Sequence, residues 1–470
     1  MKPPAQAMER LRRIVGPKGW TTDANDMAPH LEDWRRLHRG ACAMLLKPAT
    51  ADEVRRIVAC ADEYGIRLVP QGGNTGLVGG GIPDASGEQV MVSLSRLRAV
   101  RGIDAMNYTM TVEAGLTLAE AQAAAAAADR LFPLSIGAEG SAQIGGLVST
   151  NAGGVAVLRY GAMRDLVLGL EAVLPDGTLW RGLGGLRKDN TGYDLKQLLI
   201  GAEGTLGIIT AATLKLFPAI RTRATALAAV PSPAAAVKLL ALAREVGGET
   251  VSSFELMPRF ALELVLKHIP ATADPLARAH PWYVLMDLAS SRAKDDLRAR
   301  LEELLAIGLD HALILDGTIA SSHWQGENLW RIRHSISEAE RADGVSIKHD
   351  VSVPVAALPA FIAEATQACA GAIAGVRVLA FGHIGDGNVH FNLQQPEAAE
   401  PQAFRAQWSA INRLVHDLVI AHGGSISAEH GIGVLKRQEL AHYQPEKCAL
   451  MRRVKAALDP KGIMNPGKLI

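Results

Sequence analysis

The chain has 470 residues, 48% of them hydrophobic and 46 of them glycine; this excludes a disordered or fibrous protein and exceeds one ordinary core, so two or three domains or subdomains are expected. Its 49 Lys and Arg balance 48 Asp and Glu, leaving no bulk positive field for nucleic acid or an anionic membrane surface. Cys42, Cys60, Cys369 and Cys448 lie far apart without paired spacing, which argues against a zinc ribbon, a redox CxxC pair or a disulfide framework and for a reducing compartment.

The N-terminal MKPPAQAMERLRRIVGPKGW has no apolar core of signal-peptide length, and the alanine-rich stretch 121–128 is too short to span a bilayer. A cytoplasmic protein without an integral membrane segment is expected. A helix is predicted over 51–64, followed by a strand, IRLVP, ending at Pro70. The loop QGGNTGLVGGG, residues 71–81, then exposes consecutive backbone N–H groups with little side-chain cover, as close approach to a pyrophosphate requires. It lacks the Gly-Lys-Ser/Thr of a Walker loop and the GxGxxG of a Rossmann turn, so by itself it is also compatible with a structural loop. Two more glycine-rich blocks, 136–161 and 199–218, surround strand-like segments such as LVLGLEAVLPDG, where a Pro-Asp-Gly turn predicts a hairpin. Tight packing explains one such block more easily than three.

Beyond Pro218, strand-like ATALAAVP, SSFELMP, WYVLMDLAS, ALILDGT and IKHDVSVP alternate with helices predicted over 233–246, 293–307 and 328–341 and another starting near Val355. This pattern predicts an α+β domain with helices on one face of a mainly antiparallel sheet. A last amphipathic helix is predicted over 446–458.

The densest chemistry lies in FGHIGDGNVHFN, 381–392, and SAEHGIG, 427–433. His383 and His390 would fall on opposite faces of an unbroken strand, but Gly385, Asp386, Gly387 and Asn388 are turn formers that fold the segment back and bring both imidazoles together. With Glu429 they make a two-His, one-carboxylate set suited to a catalytic divalent ion with an open position, zinc being the expected ion. A polar turn with one satisfied histidine would be the simpler explanation of either histidine alone. Two flanking GDGN, with a Glu-His pair downstream, favour the metal.

Together PQGGNTGL, GAEGTLGIIT, HIGDGNVH, SAEHGIG and the terminal MNPGKL resemble the flavin-dependent oxidoreductases of the vanillyl-alcohol-oxidase and p-cresol-methylhydroxylase type, and within them the D-2-hydroxyacid dehydrogenases, D-2-hydroxyglutarate dehydrogenases above all. The resemblance spans nearly the whole chain. It implies a two-subdomain FAD-binding domain over 1–218, a cap or substrate domain over 219–424 and a C-terminal segment, 425–470, that returns to the FAD domain. It implies that Pro70, Gly72, Gly73, Asn74, Thr75 and Gly76 hold the FAD pyrophosphate, that Gly140, Ser141, Gly145, Gly146, Asn151, Gly153 and Gly154 line the flavin, and that Glu203, Gly204, Gly207 and Ile209 complete the site. The loop has Asn74 where covalent members carry histidine, so non-covalent FAD is expected.

For the substrate, the resemblance singles out Arg333, Ser337 and Lys348, and Asn392, two residues beyond His390 and so on the same strand face, is expected to orient the substrate carboxylate. Arg333 and Ser337 are four apart and share a helix face; with Lys348 they would clamp a carboxylate, although a solvated basic face with Arg331 and Arg341 fits these residues equally well by sequence alone. Ser337 stands where the closest hydroxyglutarate enzymes carry threonine, which bears on substrate identity. His430 is expected to be the base taking the hydroxyl proton, a partner of the metal ligands being its alternative role, with electrons leaving to an electron-transfer flavoprotein or a quinone. D-lactate or glycolate oxidation on the same fold, a flavin oxidase using oxygen, a metal hydrolase and a pure binding module are the alternatives. The oligomeric state stays open, with a homodimer as the candidate assembly.

Overall fold

A computed structural model describes residues 2–470. The chain forms two units, one of Met1–Gly154, Gly161–Ala219 and Glu429–Ile470, the other of Val155–Tyr160 and Ile220–Ala428.

In the first unit, strands Trp20–Thr21 (β1), Met44–Leu46 (β2), Leu68–Gln71 (β3) and Val90–Ser93 (β4) form a sheet of order β1-β2-β4-β3, in which β2 and β3 both run parallel to β4. The helix Ala51–Tyr64 connects β2 to β3, as predicted. Thr50 Oγ1 accepts the Glu53 amide at 3.1 Å to start it, and Gly65, at φ 66°, ends it. Val54, Ile57, Val58 and Ala61 recur along one face and are buried, the stripe expected of a helix laid on a sheet.

Val100–Asp104 (β5) and Thr109–Glu113 (β6) belong to a second sheet, and Arg130–Leu131 (β7) pairs elsewhere, with Phe217–Pro218 (β11). Val167–Val173 (β8), Leu179–Gly182 (β9) and Ile208–Lys215 (β10) complete that second sheet in the antiparallel order β5-β6-β10-β8-β9. The β8–β9 pair is the hairpin predicted around Pro-Asp-Gly.

The second unit is built on one seven-stranded antiparallel sheet. Its strands are Thr222–Val230 (β12), Val251–Pro258 (β13), Trp282–Ser290 (β14), Asp316–Ile319 (β15), Ser346–Ser352 (β16), Arg377–His383 (β17) and Asn388–Gln394 (β18), in the order β15-β12-β14-β13-β17-β18-β16. Because side chains alternate along a strand, the sheet has two different faces. Phe254, Leu256, Val284, Met286, Val389 and Phe391 pack against helices Pro233–Gly247, Leu297–Asp310, Leu358–Ala372 and Trp408–Ala421. The opposite positions Leu227, Met257, Tyr283, Leu285, Leu379 and Phe381 pack against helices Arg259–His268 and His323–Ala342.

Capping moves several predicted boundaries. The helix expected over 293–307 starts at Leu297 because Asp296 accepts the Ala299 amide, and the one expected over 328–341 starts at His323 because Ser322 accepts the Gln325 amide. Helix Arg259–His268 follows Pro258 without a polar signal at its start and was not anticipated. Among the described residues one segment, Val355–Ala372, is long and apolar enough to cross a membrane. Leu358, Phe361, Ile362, Ala365 and Cys369 from it lie in the apolar core, as in the core helix of a folded domain.

Candidate active site

Within the first unit the three glycine-rich blocks converge. Gly73 lies so close to the second block that an added Cβ would sit 1.9 Å from the Ser141 carbonyl oxygen. Gly72 faces Gly146, and Gly204, at φ 71°, lies against Pro70, where a Cβ would come within 2.6 Å of the ring. Gly145 and Gly154 are likewise closed in, by Ala114 and by the Ser135 carbonyl. Added Cβ atoms at Gly76 and Gly140, in contrast, meet nothing within 4 Å, so the backbone there is not closed in by neighbouring atoms. Gly140 and Ser141 are exposed and Thr75 and Gly153 partly exposed, while Ile209 is buried in β10. Close-packed backbone with an open glycine rim fits a pyrophosphate-bearing cofactor.

At three of the residues expected to contact FAD the side chain is already engaged within the protein. Asn74 Nδ2 is spent on the carbonyls of Pro29 and Glu32, at 3.0 and 2.9 Å, because the residue at φ 54° turns its amide back onto the preceding loop. Asn151, at φ 51°, closes helix Ile144–Thr150, and its Oδ1 accepts the Arg164 amide at 2.8 Å. The Glu203 carboxylate accepts the amides of Ile432 and Gly433 at 2.7 and 2.8 Å. It therefore anchors the C-terminal segment that begins with Glu429 and His430. Burial raises the Glu203 pKa, and the two amide hydrogen bonds work against it.

In the second unit the GDGN turn joins β17 to β18, so His383 and His390 end and follow one hairpin, their ring centroids 5.7 Å apart. Register places Phe381 opposite His390 and Asp350 on its other side, and His383 opposite Glu255 of β13. His390, Asn392, Lys348, Asp350, His383 and Glu255 thus share the sheet face that carries helix His323–Ala342. Glu429 follows Ala428, whose amide donates to the Asp350 carbonyl at 3.3 Å. Within the second unit the hairpin thus brings the two imidazoles of His383 and His390 together as potential metal donors, while Glu429 opens the C-terminal segment of the first unit.

Glu255 and Glu340 carry no local signal in the sequence. Glu255 is fully buried; its Oε1 lies 2.5 Å from His383 Nδ1, and its Oε2 accepts Arg333 Nε at 2.7 Å. Burial favours the neutral acid, but the attraction and hydrogen bonds of His383 and Arg333 outweigh it and hold the carboxyl at about 2. Glu340, also fully buried, accepts Lys348 Nζ at 2.6 Å and Asn392 Nδ2 at 3.1 Å. The two cations expected to clamp substrate therefore each have a resident carboxylate, and Asn392 is tied to the second of them. Arg333 also stacks over Phe381, 5.0 Å from its centroid. Ser337 is exposed on the same helix.

Comparison with known proteins agrees with this architecture. Residues 42–182 match the FAD binding domain family and residues 220–469 match the family described as FAD linked oxidases, C-terminal domain. The chain is 37% identical to the mitochondrial D-2-hydroxyglutarate dehydrogenase of Arabidopsis thaliana over 461 residues, covering 98% of this chain and 80% of that one. It is 38% identical to the mitochondrial D-2-hydroxyglutarate dehydrogenase of Bos taurus over 462 residues, covering 98% and 82%. The solved structure of p-cresol methylhydroxylase with substrate bound matches with a TM-score of 0.75 and 16% identity, over 98% of this chain and 96% of that one; it shows the shared fold. The α+β expectation, with a p-cresol-methylhydroxylase-type FAD-binding domain and an antiparallel sheet with helices in the cap, holds; the helices, expected on one face of that sheet, cover both, because its strands bury apolar side chains on both sides. The cytoplasmic expectation does not stand, since both relatives are named mitochondrial. Composition and core patterning serve folding and catalysis equally in any aqueous compartment, so they carry no address.

Proposed function

This chain belongs to the FAD-linked oxidase family and, within it, to the relatives of the D-2-hydroxyglutarate dehydrogenases, and from that premise we propose that it oxidises a D-2-hydroxy acid, D-2-hydroxyglutarate first, to the 2-oxo acid. One observation carries the reading: identity to relatives of that name runs along almost the entire chain.

The first unit, through Pro70, Gly72, Gly73, Gly76, Gly140, Gly146 and Gly204, would hold FAD non-covalently. Bound FAD supplies the acceptor for a hydride from C2. His383 and His390 of the second unit, with Glu429, would hold a divalent ion, zinc by donor chemistry. Such an ion supplies Lewis-acid polarisation of the substrate hydroxyl.

His430 takes the hydroxyl proton; with a reference pKa of ~6.5, imidazole suits general-base work at neutral pH. Arg333 uses Nε on Glu255, so its terminal nitrogens are the ones to present to a substrate carboxylate. Lys348 adds a point charge and Asn392 a hydrogen-bond donor, both steadied by Glu340. Ser337 contributes a hydroxyl from the solvent side of the helix. An electron-transfer flavoprotein or a quinone is the proposed final acceptor, because no NAD fingerprint occurs in the sequence.

The test is anaerobic bleaching of the flavin absorbance on adding D-2-hydroxyglutarate, D-lactate, D-malate and glycolate in turn, with and without a chelator. Chelator-sensitive bleaching by D-2-hydroxyglutarate is expected. A colourless protein, or flavin reduced by none of these acids, overturns the reading.

A further inference from the structure

Glu255 stands in the middle of β13 between Phe254 and Leu256, both of which enter the apolar core. A carboxylate there is costly unless each oxygen is satisfied, because desolvating an unpaired charge costs several kcal/mol. Here the two oxygens have one partner each, His383 Nδ1 and Arg333 Nε. For His383, donation from Nδ1–H to a carboxylate leaves the lone pair on Nε2 and fixes the plane of the ring. For Arg333, the same carboxylate fixes the direction of the guanidinium and occupies the edge that a substrate would otherwise compete for. Both partners are buried, and Arg333 is held from its other side by the Phe381 ring.

We propose that Glu255 is a shared positioning residue that couples the metal ligand His383 to the substrate-binding Arg333. The proposal rests on the reading of His383 as a metal ligand and Arg333 as a carboxylate binder. One carboxylate serves two donors, so releasing either donor lets the group turn and loosens the other. Glutamine cannot substitute for it: Glu255→Gln keeps the shape, but its amide nitrogen would face a donor hydrogen from His383 or from Arg333.

The experiment is a competitive zinc titration of the FAD-loaded, chelator-stripped protein, with KM and kcat for D-2-hydroxyglutarate measured alongside. Glu255→Gln should weaken zinc binding by 10- to 100-fold, in the range seen for outer-shell partners of metal-bound histidine, and raise KM. Arg333→Lys, which removes Nε without touching the ion, should also weaken zinc binding, by several-fold. A folded Glu255→Gln protein with wild-type zinc affinity and KM overturns the proposal. If Glu255→Gln does not fold, Arg333→Lys decides: wild-type zinc affinity overturns the coupling and a weakened one supports it. Wild-type protein that takes up no zinc stoichiometrically overturns the metal reading, and the coupling with it, before any variant is made.

Discussion

The amide of Ile432 donates to the Glu203 carboxylate at 2.7 Å across a sequence separation of 229, and the Gly433 amide donates to the other oxygen at 2.8 Å. The carboxylate of a GAEGTLG loop thus grips the backbone two and three residues after His430. Gly431, at φ 79°, fits beneath it only because it lacks a side chain, since a Cβ would stand 2.7 Å from Glu203 Oε1. Glu203→Gln replaces one acceptor with a donor facing an amide hydrogen, at a cost of about 1–3 kcal/mol. The expected outcome is a flavin-loaded protein with a lower melting temperature and a kcat reduced more than the flavin occupancy, read by thermal melting and steady-state rates together.

His430→Ala should retain flavin and zinc and lose turnover by about 10²–10⁴-fold, the usual contribution of a general base. The acid limb of the pH–rate profile should disappear with it. Full turnover in this variant would remove His430 from the role.

Removal of the ion should separate chemistry from folding. Chelation, or His383→Ala and His390→Ala, should abolish bleaching by D-2-hydroxyglutarate while leaving the flavin spectrum in place, and zinc should restore only the chelated wild type. Atomic absorption on the purified variants checks that metal content falls in parallel.

Gly73→Ala and Gly76→Ala should differ sharply. At Gly73 a Cβ would collide with the Ser141 carbonyl at 1.9 Å, whereas at Gly76 it meets nothing within 4 Å. The first variant should be destabilised and purify without flavin. The second should fold normally and, with its backbone on the open rim, bind FAD more weakly in a reconstitution titration.

Acid stability should report Asp343. Burial opposes its ionisation, but Lys267, His268 and Arg377, with nitrogens 2.8 to 2.9 Å away, hold its pKa at about 2. A folded pKa below the unfolded value of about 3.9 means that its stabilisation is complete above pH 4 and is lost as the pH falls toward 2. Wild type should exceed Asp343→Asn by roughly 1–2 kcal/mol at pH 5–7, with the gap closing below pH 4. Chemical denaturation at several pH values checks this.

Local signals in the chain were strong where one peptide segment suffices. Thr50 and Gly65 bracket the helix between them, Asp176 and Gly177 turn β8 into β9, and the GDGN turn folds His383 toward His390. Caps and turns are decided by neighbours a few residues away, so the helix 51–64 and the histidine hairpin could be read from order alone. Helix Arg259–His268 had no such marker. Nor did Glu255 and Glu340 look unusual among other acidic residues, since what distinguishes them is burial beside particular partners.

By itself the sequence showed the glycine-rich blocks, the histidine hairpin and, through the resemblance they carry, the family to which the chain belongs, because backbone freedom and turn chemistry are properties of individual residues. Only the tertiary structure decided who balances whom: Glu255 shared between His383 and Arg333, Glu340 between Lys348 and Asn392, Glu203 on the Ile432 and Gly433 amides. A buried carboxylate must find its partners across the sheet or from a distant segment, and sheet register together with burial, neither visible in the order of residues, selects which partners those are.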